Sequence, residues 1–331
     1  MSTIIKVNNL SKSFHYHKKD EGLTGSLKAL FRRERLVKEA VKKISFEIEQ
    51  GEFVGFIGPN GAGKTTTLKM LSGILYPTEG VIRVAGHIPS EREEAFKKKI
   101  SIVMGQKMMI WPTLPPIETY NLIQRMYDLN ETTYRNKIKE LSELMEVQDI
   151  LNVQARKLSL GQRMKCELIA SLLHNPKVIF LDEPTIGLDI IAQKNIRDFF
   201  KIHNKQNKTT VILTSHNMDD VKDLCQRLII IDKGQVGYDG SIDSIISEYS
   251  KNKIIKVVFE DRVKKQDIQG LGVVTKYSLY EMELSVPVEE TKKTISKLIS
   301  KYPVKDLNIS DVTLEEVVSD IFQKNNDQKN Q

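Results

Sequence analysis

Cysteine is scarce in this 331-residue chain: Cys166 and Cys225 are the two present, each in an apolar helical setting. With no CxxC pair and no disulfide framework, a stapled secreted module is excluded and a reducing cytosol is the expected compartment. Long apolar runs are missing too. No stretch approaches the ~20 residues a membrane-spanning helix needs, and the opening MSTIIKVNNLSKSF carries no apolar signal region. Any task at a membrane therefore calls for a partner chain. No internal repeat is visible, and no heptad pattern is sustained.

What is present reads as ordinary globular material, 40% hydrophobic and 28% charged, with room for two domains. Lys and Arg number 50 against 43 Asp and Glu, a net +7. Solubility explains that balance; a basic face toward anionic lipid or nucleic acid stays open. Strands are expected at 3–7, 44–48, 52–57, 80–86, 100–104, 178–184 and 210–216, a hairpin at 227–240 turning at Lys233-Gly234, a helix at 64–75, and mostly helix over 116–174. Apolar strands alternating with helices predict an α/β fold: a mainly parallel sheet covered on both faces, an antiparallel β annex, and a helical arm over about 107–175. Past residue 250 the pattern changes. IIKVVFE, GVVTKYS, YEMELSV and VKDLNIS alternate with helices near 288–301 and 313–323, a small α+β domain over 251–323. The polar tail 324–331 is expected to be disordered.

The strand EFVGFI runs straight into Gly58-Pro59-Asn60-Gly61-Ala62-Gly63-Lys64-Thr65, which fits GxxxxGK[ST] with Thr66 following. Small glycines let backbone N–H groups close on phosphates, Lys64 adds a cation there, and the Thr65 hydroxyl suits Mg²⁺. A strand before and a helix after supply the context this P-loop requires. Asp182 ends the apolar strand VIFLD, where a metal-directed carboxylate belongs. Glu183 follows as a candidate general base for the attacking water. His216 ends another strand; beside the P-loop it is a candidate γ-phosphate contact, and alone it would read as a structural histidine. A second anion-holding helix start is written in KLSLGQRMKCEL, with Ser159, Gly161 and Gln162 in a short turn before an apolar-patterned helix.

Taken in order, these residues resemble the ATP-binding subunit of an ABC transporter over roughly residues 3–245. GPNGAGKT is similar to its Walker A motif, VIFLDE to Walker B, and LSLGQ to the signature. The resemblance implies a P-loop NTPase core over 1–250 that binds ATP and Mg²⁺ and hydrolyses ATP. Catalysis falls to Glu183, His216 and Gln106 (in VMGQ), and the metal to Thr65, Asp182 and Gln106. Phe14 falls where the family stacks an aromatic ring on adenine; a core role for it is the alternative. Ser159, Leu160, Gly161 and Gln162 cap the nucleotide of a second subunit, and Asp189 lies at the dimer interface. Leu160 departs from the family's LSGGQ and bears on how tightly that loop closes.

Residues 15–39 form an insert. Leu23, Leu27, Leu30 and Phe31 fall at helical spacing, and residues 24–38 hold five basic side chains against one acidic. A helix over 23–37 packed on its own subunit or the partner is expected, with a membrane surface the other reading. Met104, Met108, Met109 and Trp111 suit a core or an adaptable contact surface equally. The insert, GQKMMIW and LSLGQRMKCEL resemble the ABC-2-type exporter branch, and DVTLEEVVSDIF resembles the end segment of exporter ATPases of that type. That implies a homodimeric ATPase on the cytoplasmic face of the membrane, working with separate ABC-2-type transmembrane permease subunits and no nucleic acid. An importer ATPase with a C-terminal regulatory domain and a soluble non-transport ATPase are the alternatives.

Overall fold

The computed structural model describes residues 2–17, 35–105, 107–249, 251–264, 268 and 270–327. Gln106 and most of the helix expected over 23–37 lie outside them. The chain divides into two units, Met1–Gly240 and Ser241–Gln331; the second begins ten residues before the expected start at 251.

In the first unit, β3 (Phe53–Ile57) is buried along its whole length. A strand apolar on both faces belongs inside a parallel sheet covered on both sides. Its neighbours are β7 (Thr210–Thr214) and β8 (Arg227–Asp232), both parallel to it. β6 (Val178–Asp182) and β5 (Ile100–Met104) extend the parallel run, and β9 (Gln235–Ser241) closes the other edge, giving the order β5-β6-β7-β3-β8-β9. β6 and β7 are in register from Val178 opposite Thr210 to Asp182 opposite Thr214. The loops after β3, β6 and β7 therefore emerge side by side at the carboxyl edge, where open α/β sheets hold ligands.

A second sheet, order β2-β1-β4, is antiparallel and built from β1 (Thr3–His17), β2 (Arg35–Glu49) and β4 (Glu79–Val84). The first two strands run far beyond the expected 3–7 and 44–48. Arg35–Val37, placed by the sequence at the end of a helix, instead pair with His15–His17. Asn9 and Lys43 both adopt φ of 46°, next to shifts in the β1–β2 register. Such bulges break the two-residue period that marks a strand in sequence.

Between the sheets lies α1 (Lys64–Leu71), shorter than the expected 64–75, whose Leu68, Met70 and Leu71 join Ile5, Val7, Ile48, Phe56 and Phe180 in one core. After α2 (Glu94–Lys97) the arm holds three helices: α3 (Pro116–Met126), α4 (Glu131–Met145) and α5 (Leu160–Leu172). α6 (Ile190–Asn207) and α7 (Met218–Leu224) follow β6 and β7.

The second unit opens with α8 (Ile242–Tyr249). Its antiparallel sheet runs β11-β12-β10-β13, from β10 (Asn252–Phe259), β11 (Val273–Tyr277), β12 (Glu281–Pro287) and β13 (Val304–Asp311). α9 (Thr291–Lys301) adds Leu298 to a core with Ile255, Val257, Leu284 and Val286. α10 (Leu314–Asp327) carries the helix past 323, so residues 324–327 are helical where a disordered tail was expected.

Candidate functional site

The turn from β3 to α1 is drawn tight by backbone that only glycine tolerates. Gly63 sits at φ 111°, and a Cβ there would stand 2.5 Å from the Ala40 carbonyl oxygen. Lys64 folds back across its own loop, donating to the carbonyls of Gly58 (2.6 Å) and Pro59 (3.2 Å). Burial lowers its pKa, against the pull of the Glu183 and Asp182 carboxylates. A buried ammonium held, among the described residues, only by carbonyls is a site arranged for anionic oxygen.

Asp182 ends β6 directly opposite Thr214. Its Oδ1 accepts from the hydroxyls of Thr65 (3.2 Å) and Thr214 (2.7 Å), joining the P-loop helix to two strand ends. Glu183 follows at φ 56°, a left-handed conformation rare outside glycine. Its N–H donates to the Thr214 carbonyl at 3.1 Å. Its Oε2 accepts from the His216 N–H at 3.3 Å, while Oε1 is buried with no hydrogen bond among the described residues although His216 Nε2 stands 3.3 Å away. The contact has ion-pair distance without hydrogen-bond geometry. Burial pushes the Glu183 carboxyl up, and the His216 and Lys64 charges pull it back in part. A strained, poorly satisfied carboxylate in a cleft marks a functional candidate. Gly105 lies flat against it: a Cβ there would stand 2.2 Å from the Glu183 carbonyl oxygen.

Together these groups line a cleft of about 480 Å³. Phe14, Pro59, Asn60, Gly61, Gly63, Lys64, Thr65, Thr66, Asp182, Glu183 and His216 form its wall. Gly58 and Ala62 belong to the loop but not to the wall: Gly58 turns its carbonyl to Lys64, and Ala62 is buried beneath the turn. Gln106 lies outside the described residues. Phe14 is partly exposed on the wall, with Lys12 Nζ 5.3 Å from its ring centroid.

Sequence reasoning missed Lys38, Lys69 and Lys107, which also line the cleft. Lys69 was findable, four residues from Thr65 and so on the same helical face. Lys38 was not, because only the long hairpin places it opposite Phe14.

The residues of LSLGQ are not on this wall. Ser159 caps α5 in a capping box: its Oγ accepts from the Gln162 N–H, and Gln162 Oε1 accepts from the Ser159 N–H. Leu160 is 43% exposed. A Cβ on Gly161 would lie 3.0 Å from the Ala192 Cβ, and one on Gly187 would lie 3.3 Å from Leu160 Cδ2, so the two loops touch. Asp189 caps α6 by accepting from the Ala192 N–H at 2.8 Å. Ile190 and Ile191, which open α6, are 80% and 73% exposed. Met109 and Trp111 are exposed and Met108 half-buried, so this run is surface rather than closed core.

The family model described as "ABC transporter" matches residues 41–186, and the one described as "EvrA-like ABC transporter, C-terminal domain" matches 251–310. The ABC transporter ATP-binding protein NatA of Bacillus subtilis (strain 168) is 33% identical over 70% of this chain and 94% of its own length. The linearmycin resistance ATP-binding protein LnrL of the same organism is 30% identical over 84% of this chain and 90% of its own length. A solved ATP-binding cassette, MJ0796, in a dimeric post-hydrolysis state bound to ADP and Pi, superposes with a TM-score of 0.59 at 23% identity, over 72% of this chain and 98% of that one.

Proposed function

The chain belongs to the ABC transporter ATP-binding proteins, and from that premise we propose that it powers export of a substrate through separate transmembrane subunits of the ABC-2 type. It is an ATP-binding subunit and an ATPase. The resistance activity in LnrL's name and that relative's match over most of both chains support the export direction.

One observation carries the reading of the site. Thr65 of the P-loop, Asp182 and Thr214 share a carboxylate oxygen, and Glu183 and His216 stand beside it in the same cleft. Lys64 and the loop N–H groups take the β- and γ-phosphates. The Asp182 carboxylate and Thr65 hydroxyl are hard oxygen donors already drawn together, a set that fits Mg²⁺; with Gln106 they would hold it, and the ion would neutralise charge on the phosphates. Glu183 removes the proton from the attacking water, a role its buried, under-bonded Oε1 supports. His216 contacts the γ-phosphate, and Phe14 stacks on the adenine. Ser159, Leu160, Gly161 and Gln162 stand off the cleft wall, which supports their serving the nucleotide of a second copy, where the α5 N-terminus points its free N–H groups at phosphate. Asp189 lies at that dimer interface. Among the described residues no helix is long and apolar enough to cross a membrane; membrane attachment runs through the transmembrane partner, toward which Trp111 faces.

Glu183→Gln separates binding from chemistry. The variant is expected to bind ATP, to run as a dimer on size-exclusion chromatography with ATP, and to lose at least a hundredfold in turnover, the scale of general-base catalysis. Undiminished turnover with only monomer present would remove Glu183 from its role.

A further inference from the structure

Helix α5 spends a buried carboxylate where its pattern calls for a hydrocarbon. Glu167 is 1% exposed and flanked by the fully buried Cys166 and Leu168. It forms no ion pair among the described residues. Instead its two oxygens accept from two consecutive backbone N–H groups 58 and 57 residues away: Met109 (2.6 Å) and Ile110 (3.1 Å). A charge is retained in such a place only when hydrogen bonds offset its lost hydration. The bonded peptide is no ordinary loop. Within a few residues it passes from the nucleotide cleft, lined by Met104, Gly105 and Lys107, to the exposed Met109 and Trp111. Two further bonds hold its far side to the residues leading into α5, Arg156 N–H to the Pro112 carbonyl (2.8 Å) and Ala155 N–H to the Leu114 carbonyl (3.0 Å). Eight residues before Glu167 stands Ser159, the N-cap of the same helix.

We propose that Glu167 is a positioning residue that clamps segment 109–111 to helix α5, so that engagement of the helix's Ser159 end by nucleotide moves the Trp111 surface with it. The clamp rests on the composite-site reading above. It acts through rigid hydrogen-bonded connection: a bidentate carboxylate fixes both position and orientation of the peptide, whereas one oxygen fixes only distance. A glutamine keeps the shape and one acceptor but leaves one of the two buried N–H groups facing an amide NH₂, so Glu167→Gln loosens the clamp without emptying the site.

The chain's single tryptophan is Trp111 itself, 57% exposed, so its emission reads the segment directly. In a Glu183→Gln background, ATP is expected to shift Trp111 emission and to produce a dimer on size-exclusion chromatography. Adding Glu167→Gln should keep the dimer and cut the emission response by half or more. An equal response in the double variant, or a dimer of Glu183→Gln with silent Trp111, overturns the clamp alone. If ATP yields no dimer of Glu183→Gln, the composite site fails and the clamp falls with it. Should the double variant not fold, amide hydrogen exchange in Glu183→Gln, with Glu167 intact, decides: slower exchange at Met109 and Ile110 with ATP supports the clamp, and unchanged exchange overturns it.

Discussion

A single aliphatic side chain, Leu160, sits where the family's pattern has glycine, and its surroundings say what it does. It is the first residue of α5, 43% exposed and beside Gly187, and the bare Ile190 and Ile191 open α6 three residues past that glycine. Nothing in one chain covers these side chains among the described residues. On the composite-site reading they are covered when two copies close on ATP. Covering the exposed part of a leucine is worth about 1 kcal/mol at ~25 cal/mol/Å², so Leu160 strengthens closure rather than obstructing it. A homodimer covers two copies, about 2 kcal/mol together, so Leu160→Gly is expected to weaken the ATP-driven dimer of Glu183→Gln about thirtyfold, read by analytical ultracentrifugation across a dilution series. Tighter association of the glycine variant would mean that the leucine holds the loop apart.

At the scale of elements, α6 carries a titrating group that ties helix packing to pH. His203 is buried against Phe199, their rings stacked at 5.6 Å. Burial first, and then the Lys137 charge, lowers its pKa to about 4 from 6.5. Above pH 6.5 both folded and unfolded chains hold it neutral, and its full stability contribution is present. As pH falls toward 4 the unfolded chain takes up a proton that the folded one refuses, so stability is lost, about 2 kcal/mol by pH 5 and about 3 kcal/mol by pH 4. Urea unfolding followed at Trp111, in the same unit, should show this loss, and His203→Gln should flatten it. An unchanged slope in the variant would place the pH dependence elsewhere.

Elements also mark where the sequence was readable. The buried strands of the parallel sheet are continuous apolar runs, so β3, β5, β6 and β7 were placed within one or two residues, and Lys64 opens its helix because GxxxxGK[ST] couples turn to helix. The β1–β2 hairpin was not legible beyond its buried ends. Its outer half exposes Phe14, Tyr16 and Val37, and the positive φ at Asn9 and Lys43 interrupts alternation. Short-range pattern could not see that Phe14 faces Lys38, or that Glu167 reaches Met109. Both pairings join residues more than twenty positions apart and follow from topology, not from period.

For the whole molecule, the separation of the cleft from the Ser159 end of α5 governs how activity depends on concentration. The cleft wall holds the phosphate loop, both carboxylates and His216, but none of the four residues Ser159–Gln162. If those residues complete the site of a second copy, a lone chain binds ATP without a cap. Hydrolysis then follows the dimer population, and mass action makes the total rate rise with about the square of protein concentration below the dimerisation constant and linearly above it. Steady-state ATPase over a wide dilution series tests this. A dimer too tight to dilute apart would hide the curvature, and complementation resolves that case. Lys64→Ala disables one face and Ser159→Phe the other; each homodimer is expected to be nearly inactive. In a mixture, a heterodimer pairs the intact cleft of the Ser159→Phe chain with the intact Ser159 of the Lys64→Ala chain, giving one sound site. Recovery of activity on mixing requires that the two halves come from different chains. No recovery, together with a rate per chain that never changes on dilution, would mean that each chain hydrolyses ATP alone and that α5 caps nothing beyond itself.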